Sequence, residues 1–270
     1  MKKRKKNEDM KAVHLIARIM LFVIKIPYYI VKGILRLFKK SGEEIEKMKI
    51  NNKRASLTAT YKDFKLLEKE KGDYEKWIRN LYNADSKIGI IIGARGTGKS
   101  AFGLKLLENI NAKNKKSCFA MGFNENEMPK WISIATDITK IKNDSFVLVD
   151  EGGVLFNSRD SMTNINKLLS ELILVSRHKN LSILFVSQNS SNLDINILRQ
   201  ADYLILKPSS LLQKEFERKI IQKIYDSIGE NFSRFKDDKG ATYVYSNDFQ
   251  GYISNPLPSF WGINISKSFR

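Results

Sequence analysis

The stretch IGIIIGARGTGKS, residues 88–100, begins with an apolar run and continues into a glycine-rich loop that ends in Lys99 and Ser100. The helix-forming stretch AFGLKLLENI follows directly. A strand, a loop with the spacing Gly-x4-Gly-Lys-Ser and a helix, in that order, are the context in which backbone N–H groups surround a phosphate. The stretch therefore predicts a phosphate-binding loop, the P-loop, within a parallel α/β sheet.

The residues of this loop suit a nucleoside triphosphate bound with Mg2+. The glycines let the backbone turn its N–H groups inward, and the following helix adds the positive end of its dipole. We expect Lys99 to reach the β- and γ-phosphates and the Ser100 hydroxyl to ligate Mg2+. The predicted nucleotide-binding residues are Gly93, Gly96, Thr97, Gly98, Lys99, Ser100 and Ala101.

A second motif, FVLVDE at residues 146–151, ends an apolar run with two acids. Buried strands of parallel sheets are apolar throughout, and ligands bind at their carboxyl ends. We expect Asp150 to hold Mg2+ through water and Glu151 to polarise the attacking water. An acidic turn after a core strand would explain the pair if it stood alone. Its position 50 residues after the P-loop favours hydrolysis of ATP instead.

Short apolar runs alternate with helix-like stretches from residue 87 onward, which indicates an α/β fold with a central parallel sheet. The predicted strands lie near residues 88–92, 117–121, 146–150, 182–187 and 202–206. The predicted helices cover residues 98–111, 163–177 and 209–228. In the middle helix the apolar residues share one face, as expected for a helix that packs on a core.

The predicted strand 182–187 is followed by Gln188. If this strand lies beside the P-loop strand, the Gln188 amide can reach a γ-phosphate; a polar cap at a strand end is the alternative, and both stay open. An arginine from a neighbouring subunit would stabilise the charge of the transition state. Arg159, Arg177 and Arg199 are the candidates, and each is also explained as a structural or surface arginine.

The net charge of +18 is unevenly distributed along the chain. Residues 1–40 contain twelve Lys/Arg and two acids, so +10 of it lies in this segment. A basic balance of this size favours polyanionic partners, either nucleic acid or an anionic membrane. For the rest of the chain, a solvated Lys-rich surface is the alternative. Cys118 is the only cysteine, which excludes an intramolecular disulfide and fits a reduced, cytosolic setting.

Residues 12–38 are apolar but interrupted by bases, most of them seven residues apart. On a helix this spacing places the cations in one stripe and leaves apolar residues on the other faces. The pattern is typical of a helix lying in the interface of an anionic membrane, which residues 11–39 would contact. A spanning helix ranks second, because it needs about 20 mostly uncharged residues. A helix that docks on a partner protein ranks third.

These patterns divide the chain into four segments. Residues 1–40 are a basic amphipathic membrane-associating segment, and residues 41–86 are a helical linker. Residues 87–235 are the ATPase domain. Residues 236–270, which are rich in Tyr, Asn, Gly and Pro, are a small β appendage and tail.

The motifs GARGTGKS, FVLVDEGG, SRHKNLSILFVSQ and LRQADYLILK resemble those of the FtsK–HerA superfamily of DNA-pumping P-loop ATPases. They are most similar to the genome-packaging ATPases of membrane-containing double-jelly-roll viruses, and they also resemble the Zot-type morphogenesis ATPases of filamentous phages. The resemblance covers roughly residues 87–225. It implies a RecA-like core that forms a ring, a hexamer, around double-stranded DNA. The residues that match the superfamily's nucleotide site are Lys99, Ser100, Asp150, Glu151 and Gln188.

This resemblance predicts ATP-driven translocation of double-stranded DNA, used to package a viral genome. The trans-acting arginine is not fixed by an aligned motif, and Arg199 is the candidate. Segments 157–167 and 189–197 would face the DNA. The expected location is the host cytoplasm, peripheral to a membrane or at the virion vertex. Two alternatives stay open: a Zot-like membrane-associated assembly ATPase acting on virion proteins, and a conjugation-type DNA-transfer coupling ATPase.

Overall fold

The computed structural model describes residues 42–83, 85–158 and 162–262, together with Lys32, Lys39 and Ile265. The chain divides into two compact units, Met1–Lys53 and Arg54–Arg270. Residues 42–56 are helical and are called α1 here. All strands of the sheet lie in the second unit, which is therefore the unit that carries the candidate site.

Among the described residues, no helix has both the length and the apolar character needed to cross a membrane. The predicted membrane segment, residues 12–38, lies outside the described part of the chain except for Lys32. The interfacial helix expected there stays a prediction.

The second unit alternates strands and helices along most of its length. Its strands are β1 Lys65–Gly72, β2 Ile88–Ile92, β3 Ser117–Met121, β4 Ile132–Ile134, β5 Ser145–Asp150, β6 Ser182–Val186, β7 Tyr203–Leu206, β8 Ala241–Ser246 and β9 Phe249–Ser254. Its α-helices are α2 Tyr74–Asn83, α3 Lys99–Asn114, α4 Glu151–Ser158, α5 Met162–Lys179, α6 Ile195–Arg199, α7 Leu211–Glu215 and α8 Lys219–Arg234. The five predicted strands correspond to β2, β3, β5, β6 and β7.

The strands form one nine-stranded sheet in the order β1-β9-β8-β7-β2-β6-β5-β3-β4. The six strands from β7 to β4 in this order are parallel to their neighbours, and β8, β9 and β1 add an antiparallel edge. Strand β6 lies between β2 and β5. This order confirms the predicted α/β fold with a central parallel sheet, and it is the fold of P-loop NTPases.

Helices cover both faces of the sheet, which explains why β2 is apolar at nearly every position. Ile91 packs on one face in the core cluster that contains Phe102 of α3. Ile90 packs on the other face in the cluster that contains Leu172 of α5 and Tyr225 of α8. Fully burying each of these side chains contributes about 1.5–3 kcal/mol. The burial of α5 along one side confirms the predicted core face of that helix.

Residues 41–86 differ from the helical linker that the sequence predicts. Helices α1 and α2 are present, but Lys65–Gly72 form β1, which pairs antiparallel with β9. The stretch KLLEKEK carries charges that also suit a helix, so the local pattern does not distinguish the two states. Pairing with a distant strand decides the conformation, because strand preference depends strongly on tertiary context.

The C-terminal region contributes more to the fold than the sequence predicts. Strands β8 and β9, which fall in the predicted β appendage of residues 236–270, continue the main sheet through antiparallel pairing of β8 with β7. The region therefore extends the sheet that carries the P-loop rather than forming a separate one.

The predicted helix 209–228 is two helices, α7 and α8, separated at Phe216–Arg218. The break has a tertiary cause. The carboxylate of Glu217 accepts a hydrogen bond from the backbone N–H of Ser190 at 2.6 Å, and the backbone N–H of Arg218 donates to Ser190 Oγ at 2.9 Å. These bonds attach the interruption to the loop that follows β6.

Helix α3 carries a buried ion pair that connects distant parts of the second unit. Lys105 Nζ lies 2.7 Å from Glu108 Oε2, and both side chains are almost fully buried. Glu108 also accepts hydrogen bonds from Thr60 and from Ser259. Burial raises the pKa of Glu108, but these hydrogen bonds outweigh burial and hold it below its ordinary value. The carboxylate thus connects the segment before β1 and the segment after β9 to α3.

Replacing Glu108 by Gln should destabilise the full-length protein by about 3–5 kcal/mol, because Lys105 would be left as an uncompensated buried charge. Urea denaturation of wild type and E108Q measures the difference. The exposed Glu171 on α5 gives a matched control, and E171Q should stay within about 0.5 kcal/mol of wild type. An E108Q protein as stable as E171Q would contradict the role given to this pair.

Candidate nucleotide-binding site

The candidate site lies where the carboxyl ends of β2, β6 and β5 meet. The P-loop leaves β2, the acids Asp150 and Glu151 follow β5, and Ser187 and Gln188 follow β6. Because β6 pairs with both of its neighbours in parallel, these three chain segments share one edge of the sheet. The condition set for Gln188, that its strand lie beside the P-loop strand, is therefore met.

Backbone geometry explains two glycines of the P-loop. Gly98 has φ 87° directly before α3, a left-handed conformation that residues with a side chain rarely adopt. A Cβ atom on Gly93 would lie 2.5 Å from Cβ of Lys207, so the loop and the end of β7 approach too closely for any side chain there. These constraints place the loop's backbone N–H groups at the start of α3, where they favour an anion.

Lys99 is folded back onto the P-loop. Its ammonium group donates to the carbonyl oxygens of Gly93 at 2.7 Å and Ala94 at 2.8 Å. Burial lowers its pKa, although the nearby carboxylates of Asp150 and Glu151 act in the opposite direction. A triphosphate at the loop would offer this buried ammonium a stronger partner than two carbonyl groups.

Ser100 and Asp150 form the candidate magnesium site. The Ser100 hydroxyl donates to Asp150 Oδ2 at 2.6 Å, and the backbone N–H of Gly152 donates to Asp150 Oδ1 at 3.2 Å. Burial raises the pKa of Asp150, and the hydrogen bond from Ser100 opposes the change. Two hard oxygen ligands at hydrogen-bonding distance fit Mg2+, which prefers one or two protein oxygens together with water and phosphate oxygens.

Glu151 begins α4, immediately after β5, and only 6% of it is exposed. Its carboxylate accepts hydrogen bonds from Ser187 Oγ at 2.5 Å and from Asn192 Nδ2 at 3.0 Å. The sequence analysis did not predict Ser187 or Asn192 as site residues. The polar run SQNSSN after an apolar strand is the signal that points to them.

Gln188 is exposed beside the two acids. A Cβ atom placed on Gly152 would lie 3.5 Å from Asp150 Oδ1 and 3.9 Å from Gln188 Nε2, so the amide and the carboxylate face the same small volume. The backbone carbonyl of Gln188 accepts a hydrogen bond from the side chain of Gln213 on α7. The structure brings Gln188 to the site, and its role in sensing a γ-phosphate stays a prediction.

The remaining predicted residues lie in the P-loop and α3, at the ends of α5 and α6, or outside the described residues. The Thr97 hydroxyl donates to the Ala94 carbonyl at 2.7 Å within the P-loop, and Ala101 is buried in α3. Arg199 is the last residue of α6 and is exposed. Among the described residues, no hydrogen bond or ion pair joins Arg199 to the P-loop or the acids. Arg177 is exposed in the last turn of α5, and Arg159 lies outside the described residues.

Lys207 is a further buried lysine beside the P-loop that the sequence analysis did not predict. Its ammonium donates to Asn255 Oδ1 at 2.7 Å and to the carbonyls of Gly240 at 3.0 Å and Ala241 at 3.3 Å. It lies 3.9 Å from the position of a Cβ atom on Gly98. Burial lowers the pKa of Lys207 to about 7, and the charge of Asp238 acts against this change. In the sequence, the only sign of this lysine is its position at the polar end of the apolar run YLILK.

The fold and the convergence of these residues define the class as a P-loop NTPase. Within this class, the family model of zonular occludens toxin (Zot) matches residues 102–205, which is less than half of the chain. The matched region runs from the helix after the P-loop, through both acids, to β7. Comparison with proteins of curated function gives no match.

Solved structures of viral packaging enzymes are also similar to the chain. B204, the DNA-packaging ATPase from Sulfolobus Turreted Icosahedral Virus, has 18% identity and a TM-score of 0.42, covering 64% of this chain and 98% of that chain. The genome packaging NTPase B204 from Sulfolobus turreted icosahedral virus 2 in complex with AMP has 16% identity and a TM-score of 0.43, covering 64% and 98%. The same NTPase in complex with ATP-gammaS has 15% identity, a TM-score of 0.41 and the same coverage. The chain therefore resembles Zot-type and viral packaging P-loop ATPases.

The stability of the protein should depend on pH through Lys207. The folded chain releases this proton near pH 7, whereas the unfolded chain keeps it to about pH 10. Between these values the unfolded state binds more protons, so wild type gains stability relative to K207M as pH rises. The gain approaches about 1.4 kcal/mol per pH unit. Urea denaturation of both proteins at several pH values tests this, and parallel curves would contradict it.

Proposed function

We propose that the protein hydrolyses ATP and uses the energy to move double-stranded DNA, as in packaging of a viral genome. The observation that carries the ATPase part is the meeting of Lys99, the Ser100–Asp150 pair and Glu151 at one edge of the sheet. A phosphate-binding lysine, a magnesium site and a buried carboxylate beside it are the parts that triphosphate hydrolysis needs.

In the proposed reaction the P-loop N–H groups and Lys99 hold the β- and γ-phosphates, and Glu151 orients the attacking water. Mg2+, held by Ser100 directly and by Asp150 through water, would neutralise charge on the phosphate oxygens. Gln188 contacts the γ-phosphate from the neighbouring strand. Ser100 and Asp150 are already hydrogen-bonded to each other, and the other groups follow strands that end at the same edge of the sheet. Binding therefore needs mainly an exchange of partners rather than a new arrangement of strands.

The DNA part of the proposal is supported by the motifs that resemble those of DNA-pumping ATPases and by the net charge of +8 that remains outside residues 1–40. A translocase should hold the phosphate backbone rather than read bases, since phosphate contacts carry no sequence information. We place these contacts on segments 157–167 and 189–197. The identical subunits would form a ring around the DNA, and we propose that this ring is a hexamer. Arg199 is the proposed trans-acting arginine in such a ring, because it is exposed at the end of α6.

A second candidate function is a membrane-associated assembly ATPase that acts on virion proteins, and the Zot family match to residues 102–205 favours it. Both functions use the same nucleotide residues. In either case residues 11–39 would attach the protein to an anionic membrane surface, which places it in the host cytoplasm beside a membrane or at a virion vertex. The two functions differ in what stimulates hydrolysis.

The ATPase rate of the full-length protein should require Lys99 and Glu151. K99A should abolish hydrolysis, and E151Q should retain nucleotide binding but lower kcat about 10²- to 10⁴-fold, the usual contribution of a general base. Phosphate release in the steady state measures the rate. K113A changes an exposed lysine on the same helix α3 and should behave as wild type. Wild-type turnover by E151Q would contradict the role given to this carboxylate.

Long double-stranded DNA should stimulate the rate, and the stimulation should disappear at high salt because phosphate contacts release counterions. R159A and K167A, in segment 157–167, should weaken DNA binding and reduce its salt dependence. Titration of labelled DNA at several salt concentrations measures both quantities. Unchanged affinity and slope would contradict this DNA surface. Hydrolysis that ignores DNA but rises with anionic vesicles would favour the assembly ATPase instead.

A further inference from the structure

The side chain of Lys207 lies along the P-loop, from the first glycine of the motif to the last. The backbone N–H of Lys207 donates to the Ile92 carbonyl at 2.8 Å, so the residue continues the pairing of β7 with the P-loop strand. A Cβ atom on Gly93 would lie 2.5 Å from Lys207 Cβ, and one on Gly98 would lie 3.9 Å from Lys207 Nζ. The ammonium group is therefore next to the start of α3, where the loop offers its N–H groups to an anion.

This ammonium group is a buried cation whose hydrogen-bonding partners are all neutral. Lys207 is fully buried, and its three N–H donors match the three acceptors around it, Asn255 Oδ1 and the carbonyls of Gly240 and Ala241. Among the described residues, no carboxylate lies within ion-pairing distance of it. A buried charge without a charged partner is costly. Packing at the end of β7 therefore does not by itself explain a cation here.

The charged and titratable groups around Lys207 come from three parts of the fold. In the loop before β8, the charge of Asp238 favours the ammonium form, and Lys239 is exposed. On α8, the Tyr225 hydroxyl donates to the Lys207 carbonyl at 2.9 Å, and burial raises the pKa of Tyr225, so this group stays neutral. The P-loop contributes Lys99, a second cation. Of these groups only Asp238 favours the charged form, and a phosphate bound at the P-loop would be a second, stronger anion.

We propose that Lys207 is a positioning residue of the nucleotide site, and that its buried ammonium group stabilises the bound phosphates by charge across the P-loop backbone. Lys99 contacts the phosphates directly, whereas Lys207 acts at a greater distance and keeps its neutral partners. The inference rests on the proposed function, since it assigns a further residue to the same nucleotide site. It explains why a lysine, rather than an apolar residue, follows β7 at this point.

The effect of this charge has a definite size and a definite pH dependence. At an effective dielectric constant of about 20, one phosphate charge about 10 Å from an ammonium group changes the affinity about tenfold. In the free protein, burial lowers the pKa of Lys207 to about 7. A bound phosphate favours the charged form and raises this pKa, so binding above pH 7 takes up protons. The contribution of Lys207 to affinity is therefore largest below pH 7 and is lost as the pH rises.

Two variants remove the free charge in different ways. K207M deletes the ammonium group. N255D keeps the lysine and places a carboxylate of nearly the same shape where Asn255 Oδ1 now accepts its hydrogen bond at 2.7 Å, so the pair has no net charge. This second change gives up only the hydrogen bond from Asn255 Nδ2 to the Pro256 carbonyl at 3.3 Å. K113M changes an exposed lysine on α3 and is the matched control.

The test measures the affinity of these full-length proteins for a fluorescent ADP with Mg2+ between about pH 6 and about pH 9. Titration of ADP itself and of Lys99 affects every protein alike, so the difference from wild type is the readout. K207M and N255D should bind about tenfold more weakly than wild type near pH 6, and the difference should close near pH 9. K113M should follow wild type throughout. A merely structural defect would weaken binding by the same factor at every pH, and that result would overturn the inference.

The variant K99A separates this inference from the proposed function. If K99A abolishes ADP binding but K207M and N255D match wild type at every pH, the role of Lys207 is wrong while the nucleotide site holds. If wild type does not bind ADP, or K99A binds it as wild type does, the proposed nucleotide site fails and the inference fails with it. Should K207M not fold, N255D decides alone, because it retains the lysine and the contacts of its side chain.

Discussion

Parallel pairing of β6 with β2 on one side and β5 on the other is the constraint on which the site depends. The register places Val186 of β6 opposite both Ile91 and Asp150, so the three strands end together. The P-loop, the two acids and Ser187 therefore leave the sheet at the same level. A slip of one residue in either pair would turn side chains to the opposite face and separate the acids from the loop.

The second feature of the site is that its charged side chains are buried. Lys99, Asp150 and Glu151 are each less than one tenth exposed. Buried charges are costly unless they have hydrogen-bonding partners, and here each has at least two. The P-loop backbone serves Lys99, Ser100 and the Gly152 N–H serve Asp150, and Ser187 and Asn192 serve Glu151. The resting site therefore satisfies its own polar groups. A triphosphate at the P-loop would replace the two carbonyl partners of Lys99.

Several parts of this arrangement could be predicted from the sequence because their signals are local. The P-loop, the acids after β5 and five strands of the sheet follow from short patterns of apolar residues and glycine. Ser187 and Asn192 lie in a polar run that marks the end of a strand, but their hydrogen bonds to Glu151 could not be predicted, because they arise only when β6 pairs beside β5. Strand β1 was missed since its alternating charges also suit a helix, and its partner β9 lies at the far end of the chain. Lys207 follows an ordinary apolar strand, and only the fold shows that its ammonium lies under the P-loop.

The central claim is that ATP binding and DNA binding meet in one assembly whose hydrolysis depends on Glu151. Electron cryomicroscopy of full-length E151Q with ATP and double-stranded DNA tests this claim most directly. The account predicts rings with duplex DNA in the centre, nucleotide at the P-loop between subunits, and segment 157–167 against the phosphate backbone. Nucleotide-bound single subunits with no DNA attached would contradict it.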